Sequence, residues 1–221
     1  MAIGPKLGWI KSNLENKLDL IIFLVISFLL SLVIIKNFNI NFLLNTILVT
    51  SAFYLFFITL KDFFTKKFKN LSQNLGHFGF SLLILSILFN NIFSSEIITN
   101  LRVGETFKSE KFEINFENIE QKQEKNYKVI IGKFNVKNLN DRFKILRPEL
   151  RIYNQPNVVT SEADIKTDLL ADRFMTMNLV QNQEYFNIRY QVKPFMLWIW
   201  LSVILISFGG LVSFFKKEYE K

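Results

Sequence analysis

The chain contains one histidine, His77, in a run that reads Asn74-Leu75-Gly76-His77-Phe78-Gly79-Phe80 and continues as apolar sequence to Phe89. Two chemistries fit an imidazole placed there. A neutral ring is the commonest protein ligand for haem iron, and the flanking glycines lack bulk, so a flat macrocycle has room to approach the backbone. Alternatively, a histidine near a membrane surface simply faces water or headgroups. An ionisable side chain at membrane depth is costly, which weighs toward a functional role. A second set of residues with chemical capacity is Arg147-Pro148-Glu149-Leu150-Arg151-Ile152-Tyr153, followed by Thr160-Ser161-Glu162-Ala163. Arg147 and Arg151 suit forked pairing to carboxylates or propionates at a docking edge, or internal ion pairs with Glu149 or Glu162.

Other chemistries are excluded by composition. The chain has no cysteine, so it forms no disulfide, thiolate metal site or CxxC redox pair. No P-loop, GxGxxG, HExxH or GxSxG motif is present, and a single histidine cannot build a two-histidine site alone. Carboxylates are nearly absent from the apolar runs; Asp19 and Asp62 stand at their edges. A proton-coupled transporter needs an acid near mid-membrane, so transport by this chain alone is disfavoured.

The elements that would position these residues follow from hydropathy. Half of the 221 residues are hydrophobic, yet 21% are charged, a combination that requires segregation into oily spans and a charged domain. The expected fold class is an α-helical membrane protein with four transmembrane helices and an inserted β-rich extracytoplasmic domain. Spans are predicted at about 18–35, 40–60 and 75–93 within residues 1–94, the β domain at 95–193, and a fourth span at about 195–215 within 194–221. Each run approaches the ~20 residues a helix needs to cross the hydrocarbon core. The start, Met1 to Lys6, does not read as a signal peptide, so the first span is expected to be a retained anchor.

Orientation follows from the cations. Lys6, Lys11 and Lys17 precede span one; Lys61, Lys66, Lys67 and Lys69 follow span two; Lys216, Lys217 and Lys221 follow span four. The positive-inside rule puts these segments in the cytoplasm and the β domain outside, with His77 at the cytoplasmic end of span three. Between Ser95 and Lys193 sixteen basic residues face fourteen acidic ones, so six of the eight net positive charges lie outside that domain. That distribution points to anionic membrane lipid rather than nucleic acid.

Within the β domain, Phe112, Ile114, Phe116 and Ile119 nearly alternate with polar residues. Further strands are predicted at Val129 to Val136, at Ile145 with Leu150 to Tyr153, and at Tyr185 to Tyr190. Gly104 and Asn138 to Asp141 read as turns. Ser161 to Leu170 is expected to open a short helix capped by Ser161 or Thr160. Lys193-Pro194 opens span four, where Trp198 and Trp200 fit an interfacial belt and Gly209-Gly210 permits close helix packing.

In order and spacing these pieces resemble the C-terminal portion of the haem lyase of System I cytochrome c maturation, the CcmF family with its NrfE-like relatives. The matching landmarks are Gly4-Pro5 with Trp9, Gly76-His77-Phe78-Gly79, Pro148-Glu149, Arg151, Tyr153, Thr160-Ser161-Glu162-Ala163, Lys193-Pro194, Trp198-Ile199-Trp200 and Gly209-Gly210. The resemblance implies that His77 is one of two axial iron ligands of a transmembrane haem b. The second ligand and the tryptophan-rich haem-handling signature would come from an upstream part of the lyase. It further implies a haem chaperone, apocytochrome-handling proteins and apocytochrome c as partners, and an inner membrane, bacterial or mitochondrial, as location. The haem b would reduce chaperone-delivered haem for thioether attachment. No catalytic residue is expected in this chain, and alone it is not expected to be an active lyase. The competing reading is a non-catalytic membrane scaffold that presents the β domain to partners; haem content separates the two.

Overall fold

A computed structural model of the chain describes residues 17–36, 42–65, 71–138, 143–180 and 184–219. The landmarks Gly4, Pro5, Trp9, Lys6, Lys11, Lys66, Lys67, Lys69 and Lys221, and the turn at 139–141, lie outside the described residues. The chain divides into two units: a helical one, and a β unit spliced into it over Phe93–Pro194.

The helical unit holds α1 (Lys17–Lys36), α2 (Phe42–Thr65), α3 (Leu71–Phe93) and α4 (Met196–Tyr219). All four are long and apolar enough to cross a membrane. They are helical because a bilayer supplies no partner for backbone groups, which the helix satisfies internally. Consecutive helices run antiparallel. Ser31 shares a hydrogen bond with Thr50 at 2.7 Å, and Lys61 near the end of α2 pairs with Asp19 near the start of α1. Thr59 of α2 meets Ser81 of α3 at 2.6 Å, and Ser72 of α3 donates to the Gly209 carbonyl of α4 at 2.9 Å. One end of the bundle therefore carries Asp19, Lys61, Ser72 and Gly209.

The β unit comprises two antiparallel sheets. One runs β1 (Ser95–Leu101), β10 (Phe186–Pro194), β9 (Ala171–Leu179), β8 (Asp164–Thr167). The other runs β2 (Thr106–Lys108), β3 (Phe112–Gln123), β4 (Tyr127–Asn138), β6 (Glu149–Tyr153), β7 (Val158–Glu162), with β5 (Lys144–Leu146) also on β4. The alternation in β3 sends Phe112, Ile114 and Phe116 inward. Phe116 stacks on Phe134 of β4 with centroids 4.2 Å apart, and Met175, Met177, Ile188 and Tyr190 complete a fully buried core. Gly104 turns the chain at φ 87°.

Two expectations need correction, and one strand went unread. The stretch from Ser161 to Leu170 is not helical. It forms the end of β7, then β8 after Ala163, and a hairpin tip. Val158, Val159, Thr160, Ile165 and Thr167 favour extended chain, and the Ser161 hydroxyl donates to the Met177 carbonyl at 2.7 Å instead of capping. The strand predicted at Ile145 with Leu150 to Tyr153 is two strands along one flank of β4, interrupted at Arg147-Pro148, where Pro148 has no N–H to give. The segment Ala171–Leu179 is a central strand, which its mixed polarity did not announce.

Candidate functional site

Helix α3 starts at Leu71, four residues earlier than hydropathy indicates, so His77 sits in its second turn, about 9 Å along the axis from the first residue. His77 is half-buried. Helical periodicity puts Asn74 and Ser81, at i−3 and i+4, beside it on the same face. Both are buried, and the Ser81 hydroxyl is held by Thr59 and by the Phe78 carbonyl at 2.8 Å. This polar strip went unread in the sequence because serine and asparagine inside an apolar run carry no periodic signal of their own. On its other flank His77 borders exposed residues, Gln73 one turn before and Phe80 one turn after, continued by Ile87. Two turns further along α3, Ile84, Ile87 and Leu88 line an apolar groove of about 320 Å³ with Leu48, Ala52 and Leu55 of α2.

Of the glycines beside His77, Gly79 is packed against another helix. A Cβ on Gly79 would stand 2.9 Å from Ile206 Cγ1 and 3.1 Å from the Ile206 backbone nitrogen of α4. A Cβ on Gly209 would stand 2.9 Å from both the Gly76 nitrogen and the Ser72 carbonyl oxygen. These glycines let α3 and α4 touch backbone to backbone, the usual use of small residues between membrane helices. Gly79 is two residues from His77, roughly 200° round the helix, so the seam lies behind the imidazole. Only the direction of Gly76's own missing Cβ is open. In α4 the seam uses Gly209; Gly210 faces open space.

As a donor set, the described residues bring one imidazole and no cluster of three metal-ligating side chains. That fits one axial position on a haem iron, with the apolar flank of α3 able to cover a macrocycle edge. A bis-histidine site needs its second imidazole from another chain or segment.

The second candidate resolves differently. Arg151 bonds Glu149 at 3.0 Å, lies 3.9 Å from Glu162, and stacks 5.6 Å above the Tyr127 ring. The Glu149 hydrogen bond leads in holding the Arg151 guanidinium above its usual pKa. Arg151 is thus spent on internal pairs rather than on a docking edge. Arg147 is exposed, while its backbone N–H donates to Asp164 at 2.6 Å. Pro148 and Leu150 are core residues. The Pro148-Glu149, Arg151 and Thr160-Ser161-Glu162 landmarks therefore belong to one structural object, the paired strands β6 and β7 in register Glu149↔Glu162 and Arg151↔Thr160.

Residues 92–194 match the family described as CcmF C-terminal beta-sandwich. The cytochrome c-type biogenesis protein CcmF of Pseudomonas fluorescens is 25% identical over 148 residues, 67% of this chain and 22% of that protein. The corresponding protein NrfE of Haemophilus influenzae is 24% identical over 178 residues, 79% of this chain and 28% of that protein. The solved structure of the cytochrome c heme lyase CcmF shares the fold with a TM-score of 0.67 at 17% identity, over 95% of this chain and 36% of that one. The chain spans about a quarter of the length of these curated relatives.

Proposed function

We propose that this chain, whose residues 92–194 match the CcmF C-terminal beta-sandwich, is the C-terminal portion of a System I cytochrome c haem lyase, in which His77 provides one axial ligand to a haem b. The carrying observation is the placement of the chain's single imidazole. His77 lies half-buried on a membrane-length helix, between buried Asn74 and Ser81 and beside an exposed apolar flank. Asn74 and Ser81 put buried polar side chains on the helix face that carries the ring. The glycine seam behind it brings α3 and α4 into backbone contact. When bound, such a haem supplies one-electron transfer, here to chaperone-delivered haem destined for thioether attachment to apocytochrome c. The reacting thiols belong to apocytochrome c, since this chain has none.

The second imidazole is assigned to the upstream part of the lyase. The β unit is assigned to the outer face of the inner membrane, toward the haem chaperone and apocytochrome-handling proteins. The arrangement of Lys17, Lys61, Lys216 and Lys217 at the helix ends away from the β insertion supports that orientation.

The test is a reduced-minus-oxidised and pyridine-haemochrome spectrum of the membrane protein purified with and without its upstream part. A b-type signal that requires both parts and disappears in His77→Ala is expected. Full bis-histidine haem in His77→Ala overturns the ligand assignment. No haem in either preparation leaves the scaffold reading, with His77 an ordinary interfacial residue.

A further inference from the structure

Among the described large apolar side chains of the β unit, the two most exposed are consecutive: Leu169 at 70% and Leu170 at 68%. They form the tip of the β8–β9 hairpin, which the Asp168 N–H closes on the Ala171 carbonyl at 3.1 Å. Tight turns in water select Gly, Asn, Asp and Ser. Two leucines at such a tip give the fold little burial and cost it apolar hydration. Their exposure matches that of helix residues such as Leu18 and Ile204.

Register says what the tip is near. Ala171, the residue after the tip, pairs with Pro194 of β10. Only Phe195 separates Pro194 from Met196, the first residue of α4. In the same sheet Ser95, two residues beyond the end of α3, pairs with Val192. The sheet end that carries the leucines is therefore the end at which the chain leaves one membrane-length helix and enters another. The first turns of α4 carry Trp198 and Trp200, a pair suited to the headgroup layer. Two cations stand at the tip as well: Lys144 and Arg173 both bind the Asp168 carboxylate. Phe143, the chain neighbour of Lys144, is 58% exposed.

We propose that the Leu169-Leu170 tip is a lipid-contact anchor. Its two leucines enter the headgroup–acyl boundary of the leaflet in which α4 begins, with Lys144 and Arg173 at the level of the lipid phosphates. This fixes one end of the four-stranded sheet against the bilayer at a third point, beside the α3 and α4 junctions. The inference is independent of haem binding.

Absence of cysteine makes the test clean, because Leu170→Cys creates the only labelling site. The full chain, nitroxide-labelled at 170, is placed in nanodiscs of phosphatidylethanolamine and phosphatidylglycerol. Power saturation then compares accessibility to oxygen and to a water-soluble nickel chelate. The reference is Val159→Cys, 51% exposed on β7 and eleven residues earlier in the chain. An oxygen-to-nickel ratio several-fold higher at 170 than at 159 is expected, and Leu169→Cys gives the same reading if Leu170→Cys folds poorly. Equal ratios overturn the proposal. So does a tip that is shielded only when the upstream part is added, which would make it a protein contact instead.

Discussion

The helical unit buries hydroxyls and shows leucines to its surroundings, whereas the β unit buries phenylalanines and shows ion pairs; each follows from the solvent it meets. In the helices Ser27, Ser31, Thr46, Thr59, Ser81 and Ser202 are buried, while Ile21, Phe28, Leu43 and Ile204 are exposed. The buried hydroxyls stay satisfied by bonding a carbonyl one turn back, as Ser27 does to Phe23 at 2.6 Å and Ser202 to Trp198 at 2.6 Å. In the β unit Phe116 and Phe134 have no exposed surface, and Glu96–Arg189 at 2.6 Å and Glu117–Lys133 at 2.6 Å lie on the outside. Lipid tails are as apolar as leucine, so burying leucine between helices gains little; packing and hydrogen bonds must hold the bundle. Water penalises exposed apolar area, so the sandwich is held by its core.

The largest expected effect separates the two units with one substitution. Phe116→Ala should cost the β unit about 3–5 kcal/mol, whereas Phe28→Ala, on a lipid-facing position, should cost under about 1 kcal/mol. Urea unfolding of the full chain in detergent, followed by amide hydrogen exchange in each unit, measures both. Equal losses would break the contrast. Next is the glycine seam. Gly209→Ala places a Cβ 2.9 Å from two backbone atoms of α3, and should lower stability by about 1–3 kcal/mol. Gly210→Ala meets open space, and the better helix former should be neutral or stabilise by up to about 1 kcal/mol. Thermal melts should therefore fall for Gly209→Ala and hold or rise for Gly210→Ala.

A smaller effect is expected from the hydroxyl pair. A double-mutant cycle of Thr59→Val and Ser81→Ala should report a coupling of about 0.6 kcal/mol, the average for such bonds in membranes. A coupling of zero would mean that each hydroxyl is content with its own helix carbonyl. The smallest concerns pH. The Lys144 hydrogen bond, and after it Arg173, holds the Asp168 carboxyl below its ordinary pKa. A depressed folded-state value stabilises the fold above the unfolded pKa, and that stability fades as pH falls through the folded value, on the acid side of the ordinary carboxylate range. The group is half-exposed, so solvent screening keeps the contribution within about 1 kcal/mol. Asp168→Asn should flatten the acid limb of the β unit's stability profile and leave neutral pH almost unchanged; an unaltered limb would remove Asp168 as its source.

The four helices and the alternating strand β3 are legible from residue order alone. Bilayer thickness demands an apolar run of set length, and a half-buried strand demands period two; both are local patterns. The place of His77 in an apolar helix is legible for the same reason. What only tertiary structure decided is who faces whom. Gly79 turns to α4 rather than toward the imidazole, and Arg151 turns to Glu149 rather than outward. Ser161 reaches Met177, sixteen residues away, instead of capping a helix, and Leu169-Leu170 is brought to the Pro194 end of its sheet through the pairing of Ala171 with Pro194. The helix seam, the Ser161 bond and the place of the leucine tip depend on pairing between segments far apart in the chain, and within a sheet a slip of one residue would send a side chain to the opposite face.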